Sequence, residues 1–329
     1  MTWKATNMIP DPSSMLTNAA VFAARAPSLH NTQPWHWHVH HNTLELSLDT
    51  RRVLPATDPD ARLAILSCGA ALHHAVIRLA ADGQAVTVQR QPDTADPTLL
   101  ARVRVTGTML ADQDAVALAE QVPHRRTDRR TATAAPVDLD LVRRIREAVK
   151  SHGCGLIPLS PRQLVTLAEA VEAAHHVEAL DPQWQVEVAG WVGGNRPDGT
   201  GIPTTALPED PYLLTAPARA LRRAGAALIA DSQQRAAVFT VLHGPDDLPQ
   251  TWLRAGEALS AGWLTATSTQ IAVLPLSIVA EVATTRDRIR AALNFTSHPF
   301  LVLRLAAAGS SIAPSATPRL PAAAVITRS

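Results

Sequence analysis

Two kinds of apolar spacing run along the chain, and they predict strands in some segments and helices in others. In residues 35–49, apolar and polar positions alternate on both sides of a short polar turn, which indicates a β-hairpin. In residues 58–83, apolar positions recur at helical spacing, and Asp58 or Asp60 is expected to cap the helix. Residues 252–270 predict a second long helix.

The other elements predicted from the chain are shorter and are separated by Gly, Pro and polar residues. Helices are expected at residues 13–25, 136–151, 161–180 and 286–293, and strands at residues 86–88, 100–105, 156–159, 236–242 and 300–305.

Residues 181–217 differ from the rest because they are rich in Pro and Gly. We expect this stretch to lack regular structure, and such stretches in compact proteins are usually a functional lid or a linker. Trp184 and Trp191 favour a lid that packs on the protein, since disordered linkers are poor in aromatic residues.

The two long helices show a weak internal repeat. Gly-Ala-Ala-Leu at 69–72 aligns with Gly-Glu-Ala-Leu at 256–259, and without a gap Ala85-Val86 then aligns with Ala272-Val273. This pattern suggests a duplication, and the small residues predict that the two helices pack against each other at the centre of the fold.

Composition and charge indicate which partners and cellular compartment to expect for this protein. Thirty Lys and Arg against 29 Asp and Glu leave a formal net charge of +1 over 329 residues, which gives no reason to expect nucleic acid or an anionic membrane as a partner. Apolar runs are broken before about 18 residues, and no secretory signal is visible. Cys68 and Cys154 are far apart, as expected of reduced thiols in a cytoplasmic protein.

Two stretches carry candidate binding chemistry. Residues 124–130 contain four arginines and a threonine, which suit a phosphate because guanidinium groups bind phosphate oxygens bidentately. The alternative is a solvated run of charge. Residues 26–35 form a polar loop with two prolines, which is either a ligand-binding loop or an ordinary turn.

Neither a metal site, nor a serine nucleophile, nor a Rossmann domain is supported by the sequence. His36, His38 and His40 share one face of the first predicted strand, but no carboxylate or cysteine accompanies them at ligand spacing, so we interpret them as a polar face and expect no metal. The serines lack a Gly-x-Ser-x-Gly context, and the absence of Gly-x-Gly-x-x-Gly disfavours a Rossmann domain.

Taken together, these stretches resemble the FMN-dependent nitroreductase superfamily and, within it, the Acg-like branch. In that family one subunit supplies an Arg-Arg-Ser/Thr-x-Arg phosphate motif and the other a Pro-Ser-x-x-Asn-x-Gln-Pro-Trp loop near the flavin ring. This chain has the first motif at 125–129 and the second at 27–35, with a basic residue before Leu-Pro at 319–321 and a strand end at 273–277. The resemblance implies cofactor contacts from Arg125, Arg126, Thr127, Arg129, Arg319, Pro27, Ser28, Leu29, Asn31, Gln33, Pro275, Leu276 and Ser277.

The arrangement of the motifs differs from that of the family. The N-terminal half lacks the arginine motif and the C-terminal half lacks the Pro-Ser-x-x-Asn loop, so the chain resembles a fused pseudo-dimer that keeps one site. The resemblance therefore implies an α+β nitroreductase-like fold with two pseudo-twofold-related halves, at 1–115 and 116–329. Each half is expected to have a mainly antiparallel sheet flanked by helices, and the second half also contains the lid at about 181–217. We expect a monomer with one FMN per chain.

The resemblance also implies the chemistry. FMN would pass electrons from NADH or NADPH to a quinone or nitroaromatic acceptor, while the protein binds and orients the flavin. The arginines and Thr127 would hold the phosphate, and Ser28 and Asn31 would bond the pyrimidine edge or N5 of the ring. Trp184 and Trp191 of the lid could cover the ring face.

Three hypotheses follow from the sequence. The first is an NAD(P)H-dependent FMN oxidoreductase of nitroreductase type with restricted access and small-molecule donors and acceptors. The second is a flavin-storage protein with little or no turnover. The third is a protein that binds another phosphorylated ligand.

Overall fold

The computed structural model describes residues 11–130, 133, 135–194, 196, 198–207, 237–294, 297–309 and 314–329. Two β-sheets and nine α-helices are assigned within these residues, which confirms the α+β class. The last ten residues of the predicted lid, 208–217, lie outside the described residues, as does the first residue of the strand predicted at 236–242.

The first sheet has five strands in the order β3-β4-β2-β1-β9. It is antiparallel except between β1 and β9, which run parallel. The predicted hairpin is confirmed, with Trp37 opposite Leu46 in register. The strands of the first sheet are β1 Trp35–His40, β2 Thr43–Leu48, β3 Gln84–Arg90, β4 Leu99–Thr108 and β9 Ile326–Arg328.

The second sheet has four strands in the order β5-β6-β8-β7 and is antiparallel throughout. It contains the strands predicted in the second part of the chain. Their bounds are β5 Gly155–Pro158, β6 Val238–Gly244, β7 Ile271–Leu276 and β8 His298–Ala307.

The helices follow the sequence prediction with three exceptions. Those predicted are α1 Pro12–Ala23, α2 Arg62–Ala81, α4 Leu139–Lys150, α5 Pro161–Leu180, α7 Pro249–Ser268 and α9 Ala283–Ala292. Two short helices were not predicted, α3 Gln113–Gln121 and the single turn α8 Ile278–Glu281. The third exception is α6 Pro182–Trp191, where we expected irregular structure. Asp181 caps α6 by accepting hydrogen bonds from the backbone N–H groups of Gln183 and Trp184, and Pro182 suits its first turn.

The long helices α2 and α7 pack together in the core, as predicted from their small residues. They approach so closely at two glycines that a Cβ on Gly69 would lie 1.9 Å from the carbonyl oxygen of Leu253. A Cβ on Gly256 would lie 1.9 Å from the carbonyl oxygen of Leu66. The aligned glycines of the internal repeat therefore meet at one crossing point.

The start of α2 is capped from outside the helix. Ala61 adopts a left-handed conformation with φ 55°, and the helix begins at Arg62. The carboxylate of Asp58 accepts hydrogen bonds from the backbone N–H groups of Leu63 and Ala64. Asp58 thus caps the helix as the sequence indicated, and burial raises the pKa of its carboxyl to about 6.

The C-terminal residues return to the first sheet. Strand β9 pairs with β1, and the chain before it runs beside the 27–35 loop. The division at 115/116 remains a prediction. Of the helices in the described part, Arg62–Ala81 alone has the length and apolarity of a membrane span, and most of it is buried in the core.

Candidate functional site

Two cavities adjoin each other in the structure, and helix α6 contributes Trp184 to the first of them. The first, which we call the apolar cavity, has a volume of about 190 Å³ and is lined mostly by apolar side chains. The second, which we call the arginine chamber, is lined mainly by charged and polar groups. Thr127 and Arg129 line both cavities and therefore mark where they join.

The apolar cavity brings together residues from two segments that the sequence singled out. The 27–35 loop forms one part of its lining and the end of β7 forms another. The predicted residues that these two segments contribute are Pro27, Ser28, Leu29, Pro275, Leu276 and Ser277.

The arginine chamber collects the predicted phosphate-binding residues. It is lined by Arg125, Arg126, Thr127, Arg129 and Arg319, together with Arg25. Arg25 was missed because nothing in its sequence context distinguishes it from a solvated arginine. The run 125–129 is attached to the second sheet at Val273 of β7. Thr127 forms an isolated parallel β-bridge with Val273, and the Asp128 N–H donates to the Val273 carbonyl oxygen at 3.1 Å.

Arg125 is the most buried of these cations, with 6% of its surface exposed. Its guanidinium carbon lies 4.7 Å from the ring centroid of Trp263, a cation–π contact. One Nη donates a long hydrogen bond of 3.4 Å to the carbonyl oxygen of Arg25, and its Nε has no partner among the described residues. Arg125 therefore has unused donor capacity at a buried position.

The other arginines are held by neutral acceptors. Arg126 donates to the carbonyl oxygens of Pro123 and Arg125 at 2.7 and 2.8 Å, and Arg129 donates to that of Ala206 at 3.3 Å. Arg319 donates to the Thr317 hydroxyl at 2.6 Å and to the carbonyl oxygens of Arg25 and Ala26. Its Nε is buried without a partner in the described part of the chain.

Arg125, Arg126, Arg129 and Arg319 form no ion pair with a carboxylate of the residues that the structure describes. The neighbouring Arg130, in contrast, pairs with Asp128 at 2.5 Å. Burial, with repulsion from the other arginines, lowers the pKa of Arg125 to about 9 and that of Arg319 to about 10. Burial alone lowers the pKa of Arg129 to about 10. The chamber therefore concentrates buried positive charge, which an anion would compensate.

Asn31 and Gln33 are not among the residues that line the two cavities, and their side chains bond to other parts of the chain. The Asn31 amide donates to the carbonyl oxygens of Gly201 and Pro318, both at 3.0 Å, and its oxygen accepts from Arg319. The Gln33 amide donates to the Gly199 carbonyl and accepts from the Leu320 N–H. Both side chains are buried and connect three segments of the chain.

Ser28 remains a cavity residue, and its hydroxyl accepts a hydrogen bond from the backbone N–H of Gln33 at 3.0 Å. The loop follows a path with left-handed backbone at His30, Asn31 and Gln33, where φ is 43°, 59° and 51°. Its shape is thus set by the buried contacts of Asn31 and Gln33.

Of the two lid tryptophans, Trp184 alone lines the apolar cavity within the described residues; it is 5% exposed. Trp191 is not part of the lining. The guanidinium carbon of Arg196 lies over the Trp191 ring, 4.0 Å from the ring centroid. The helix α6 is anchored by Glu187, whose carboxylate accepts hydrogen bonds from the Thr57 hydroxyl and N–H and from the Ala56 N–H.

We expect Glu187→Ala to loosen α6. Removing the carboxylate leaves two backbone N–H groups at 56 and 57 without this acceptor, which costs about 1–3 kcal/mol locally. Hydrogen exchange of the α6 amides, followed by mass spectrometry, should become faster. The exposed Glu169→Ala on α5 serves as the control, and equal exchange in both variants would contradict the anchoring role.

The sequence analysis missed four titratable residues of the apolar cavity, which are His30, His175, Glu178 and Glu281. His30 occupies a variable position of the 27–35 motif, and the other three lie in helices with no motif around them. Burial lowers the pKa of His30 to about 4, with a smaller contribution from Arg129, so its imidazole is neutral.

The histidines of β1 have a carboxylate neighbour after all. Glu45 of β2 lies opposite His38, and one of its oxygens is 3.8 Å from His38 Nδ1 and 3.6 Å from His40 Nε2. The sequence reasoning missed it because strand pairing brings the three groups together. Arg102 donates to the other Glu45 oxygen at 2.8 Å, so much of the negative charge that a cation would need is already compensated.

Comparison with known proteins identifies similar chains. No protein-family model matches. A Mycobacterium tuberculosis H37Rv protein that carries the name of an NAD(P)H nitroreductase, Rv3131, is 35% identical over 300 residues, covering 90% of this chain and 86% of its own length. The protein that carries the name NAD(P)H nitroreductase acg, from the same strain, is 31% identical over 323 residues, covering 94% and 96%.

Solved structures with partial likeness include the FMN-dependent nitroreductase NfnB of Mycobacterium smegmatis in complex with NADPH. It has a TM-score of 0.40 and 17% identity, and the match covers 63% of this chain and 94% of that one. The FMN- and NADPH-dependent NfnB of a Sphingopyxis strain has a TM-score of 0.40 and 22% identity, covering 64% and 97%.

Proposed function

Since the chain belongs to the family of NAD(P)H nitroreductases that includes Rv3131 and acg, we propose that it binds FMN across the two adjoining cavities. We further propose that it passes electrons from NADH or NADPH to a quinone or nitro compound. FMN, when bound, supplies the two-electron chemistry of its ring.

The observation that carries this proposal is a group of arginines beside an apolar cavity that have no carboxylate partner in the described part of the chain. A buried cation is costly unless an anion compensates it. Arg125 and Arg319 each keep a buried Nε without a partner in the described residues, so the donors that a phosphate dianion needs are present. FMN combines such a phosphate with a large planar ring, which matches the two joined cavities.

Each part of the site then has a task. The arginines and Thr127 hold the phosphate, and the segments Pro27–Leu29 and Pro275–Ser277 pack around the ring. Trp184 covers part of the apolar cavity and excludes water from it. Asn31 and Gln33 act indirectly, because they hold the loop and the Arg319 segment in place.

The anchoring of α6 favours a second candidate function, which is flavin storage with little turnover. Glu187 fixes the helix that carries Trp184, and a lid held in this way restricts access to the cavity. The visible spectrum of the purified protein, followed by anaerobic addition of NADPH and then a quinone, tests both functions. Bleaching by NADPH and recovery with the quinone support the oxidoreductase. A flavin that NADPH does not bleach supports storage, and a colourless protein that binds no added FMN contradicts both.

We expect one FMN per chain and a monomer. The sequence has a single Arg-Arg-Thr-x-Arg motif and a single Pro-Ser-x-x-Asn loop, and both contribute to the same pair of cavities. Titration of the flavin-free protein, followed by flavin fluorescence, should saturate at one equivalent. Saturation at two equivalents, or an obligate dimer in sedimentation, would contradict the fused arrangement.

A further inference from the structure

The apolar cavity contains a pair of carboxyl groups that the proposed function does not yet use. Glu178 on α5 is 3% exposed, and Glu281 at the end of α8 is partly buried. The side chain of Glu281 is hydrogen-bonded to the Ser277 hydroxyl and to the Glu178 carboxyl. Its backbone N–H also donates to the Ser277 carbonyl at 3.1 Å, so the acid lies one helical turn from the cavity segment 275–277.

Two carboxyl groups that share a hydrogen bond must hold a proton between them. Burial raises the pKa of Glu281 well above its usual range, and the negative charges of Asp58 and Glu187 act in the same direction. The hydrogen bonds from Ser277 and Glu178 oppose this rise without cancelling it. Three other charged or titratable groups line the cavity. Arg129 also lines the arginine chamber, and His30 is neutral. His175 precedes Glu178 by one turn of α5.

The surroundings of the pair indicate an organic ligand. Most of the lining is apolar, and the buried indole Nε1 of Trp184 has no partner among the described residues. Water is scarce in such a cavity, so a reaction there that consumes a proton needs a donor from the protein.

We propose that Glu281, sharing its proton with Glu178, is the proton donor to the electron acceptor. The proposal rests on the proposed function. A quinone that receives a hydride from the reduced flavin becomes a hydroquinone monoanion, and one proton completes the neutral hydroquinone. The O–H bond of the Glu281 carboxyl breaks, the O–H bond of the hydroquinone forms, and solvent water later returns a proton to the carboxylate.

The test compares two acceptors in the FMN-loaded protein. The flavin is reduced with dithionite and mixed with benzoquinone, which takes up a proton, or with ferricyanide, which takes up electrons only. Glu281→Gln keeps the size of the side chain and cannot donate a carboxyl proton. General acid catalysis contributes ~10²–10⁴-fold to a rate. We therefore expect benzoquinone to oxidise the reduced flavin of this variant at least about a hundredfold more slowly than that of wild type, and ferricyanide to oxidise it at the wild-type rate.

A second readout does not depend on turnover. The infrared spectrum of the flavin-free protein at about pH 6, where an ordinary glutamate with pKa ~4.3 is ionised, should show protonated-carboxyl C=O absorption from Glu281. Asp58, with a pKa of about 6, absorbs in the same region in both proteins, so the readout is the difference between wild type and Glu281→Gln, in which the Glu281 band should appear. Glu172→Gln, an exposed change on α5, should alter neither the band nor the rates.

The possible failures are distinguishable. Equal rates of benzoquinone reduction in wild type and Glu281→Gln, an equal slowing with both acceptors, or no protonated-carboxyl band in the difference spectrum would each overturn the proton-donor role. A wild-type protein that binds no FMN, or whose reduced flavin reacts with neither acceptor, would instead overturn the proposed function.

Discussion

Replacing Arg125 with alanine is expected to weaken FMN binding by about ten- to a hundredfold. A hydrogen bond to a charged group contributes ~1.5–3 kcal/mol, and each ~1.4 kcal/mol is a factor of ten in affinity. Arg125 should be more sensitive than Arg126, because Arg125 is buried with an unused Nε whereas Arg126 is partly exposed and already bonded to two carbonyl oxygens. Flavin fluorescence titration of the flavin-free protein gives the affinity.

Riboflavin provides the decisive control, since it has the ring of FMN and lacks the phosphate. Arg125→Ala should lose affinity for FMN and keep nearly the wild-type affinity for riboflavin. Arg125→Lys should restore part of the affinity, because lysine keeps the charge and loses the planar fork. Arg143→Ala, an exposed change on α4, should have no effect on either flavin. If the Arg125→Ala, Arg126→Ala double variant still bound FMN as tightly as wild type, the phosphate assignment would be wrong.

Adding a methyl group at Gly256 is expected to have the largest effect on stability. The Cβ of an alanine there would lie 1.9 Å from the Leu66 carbonyl oxygen and 2.8 Å from the Ala70 nitrogen. Both are backbone atoms inside α2, so the two central helices would have to move apart. Overpacking of this kind costs ~1–3 kcal/mol and occasionally more, and we expect about 3 kcal/mol because backbone atoms cannot change rotamer.

Chemical denaturation of Gly256→Ala against wild type measures this loss. Gly190→Ala is the matched control, since Gly190 is also helical and its added Cβ would meet nothing within 4 Å. That variant should be as stable as wild type or slightly more stable, by ~0.5–1 kcal/mol, because alanine favours helix over glycine. Similar stabilities for the two variants would contradict the close crossing of α2 and α7.

The sequence by itself determined the features that depend on neighbouring residues. Alternation in residues 35–49 predicted the hairpin, because side chains of a strand point to opposite faces in turn. Small residues predicted the contact of α2 with α7, because backbones approach closely only where side chains are small. The arginines of the 125–129 motif suit a phosphate by their chemistry, and the family resemblance carried by the two motifs and Arg319 indicated further residues that line the two cavities.

Tertiary structure alone decided how distant segments use their polar groups. Asn31 and Gln33 look like ligand contacts in a polar loop, yet their partners are backbone groups at 199–201 and 318–320. Glu45 reaches the histidines through strand register, and Glu178 meets Glu281 through the packing of α5 on α8. Local spacing carries no information about such pairs, because a buried polar group is satisfied by whichever donor or acceptor the packing of the elements brings within about 3 Å.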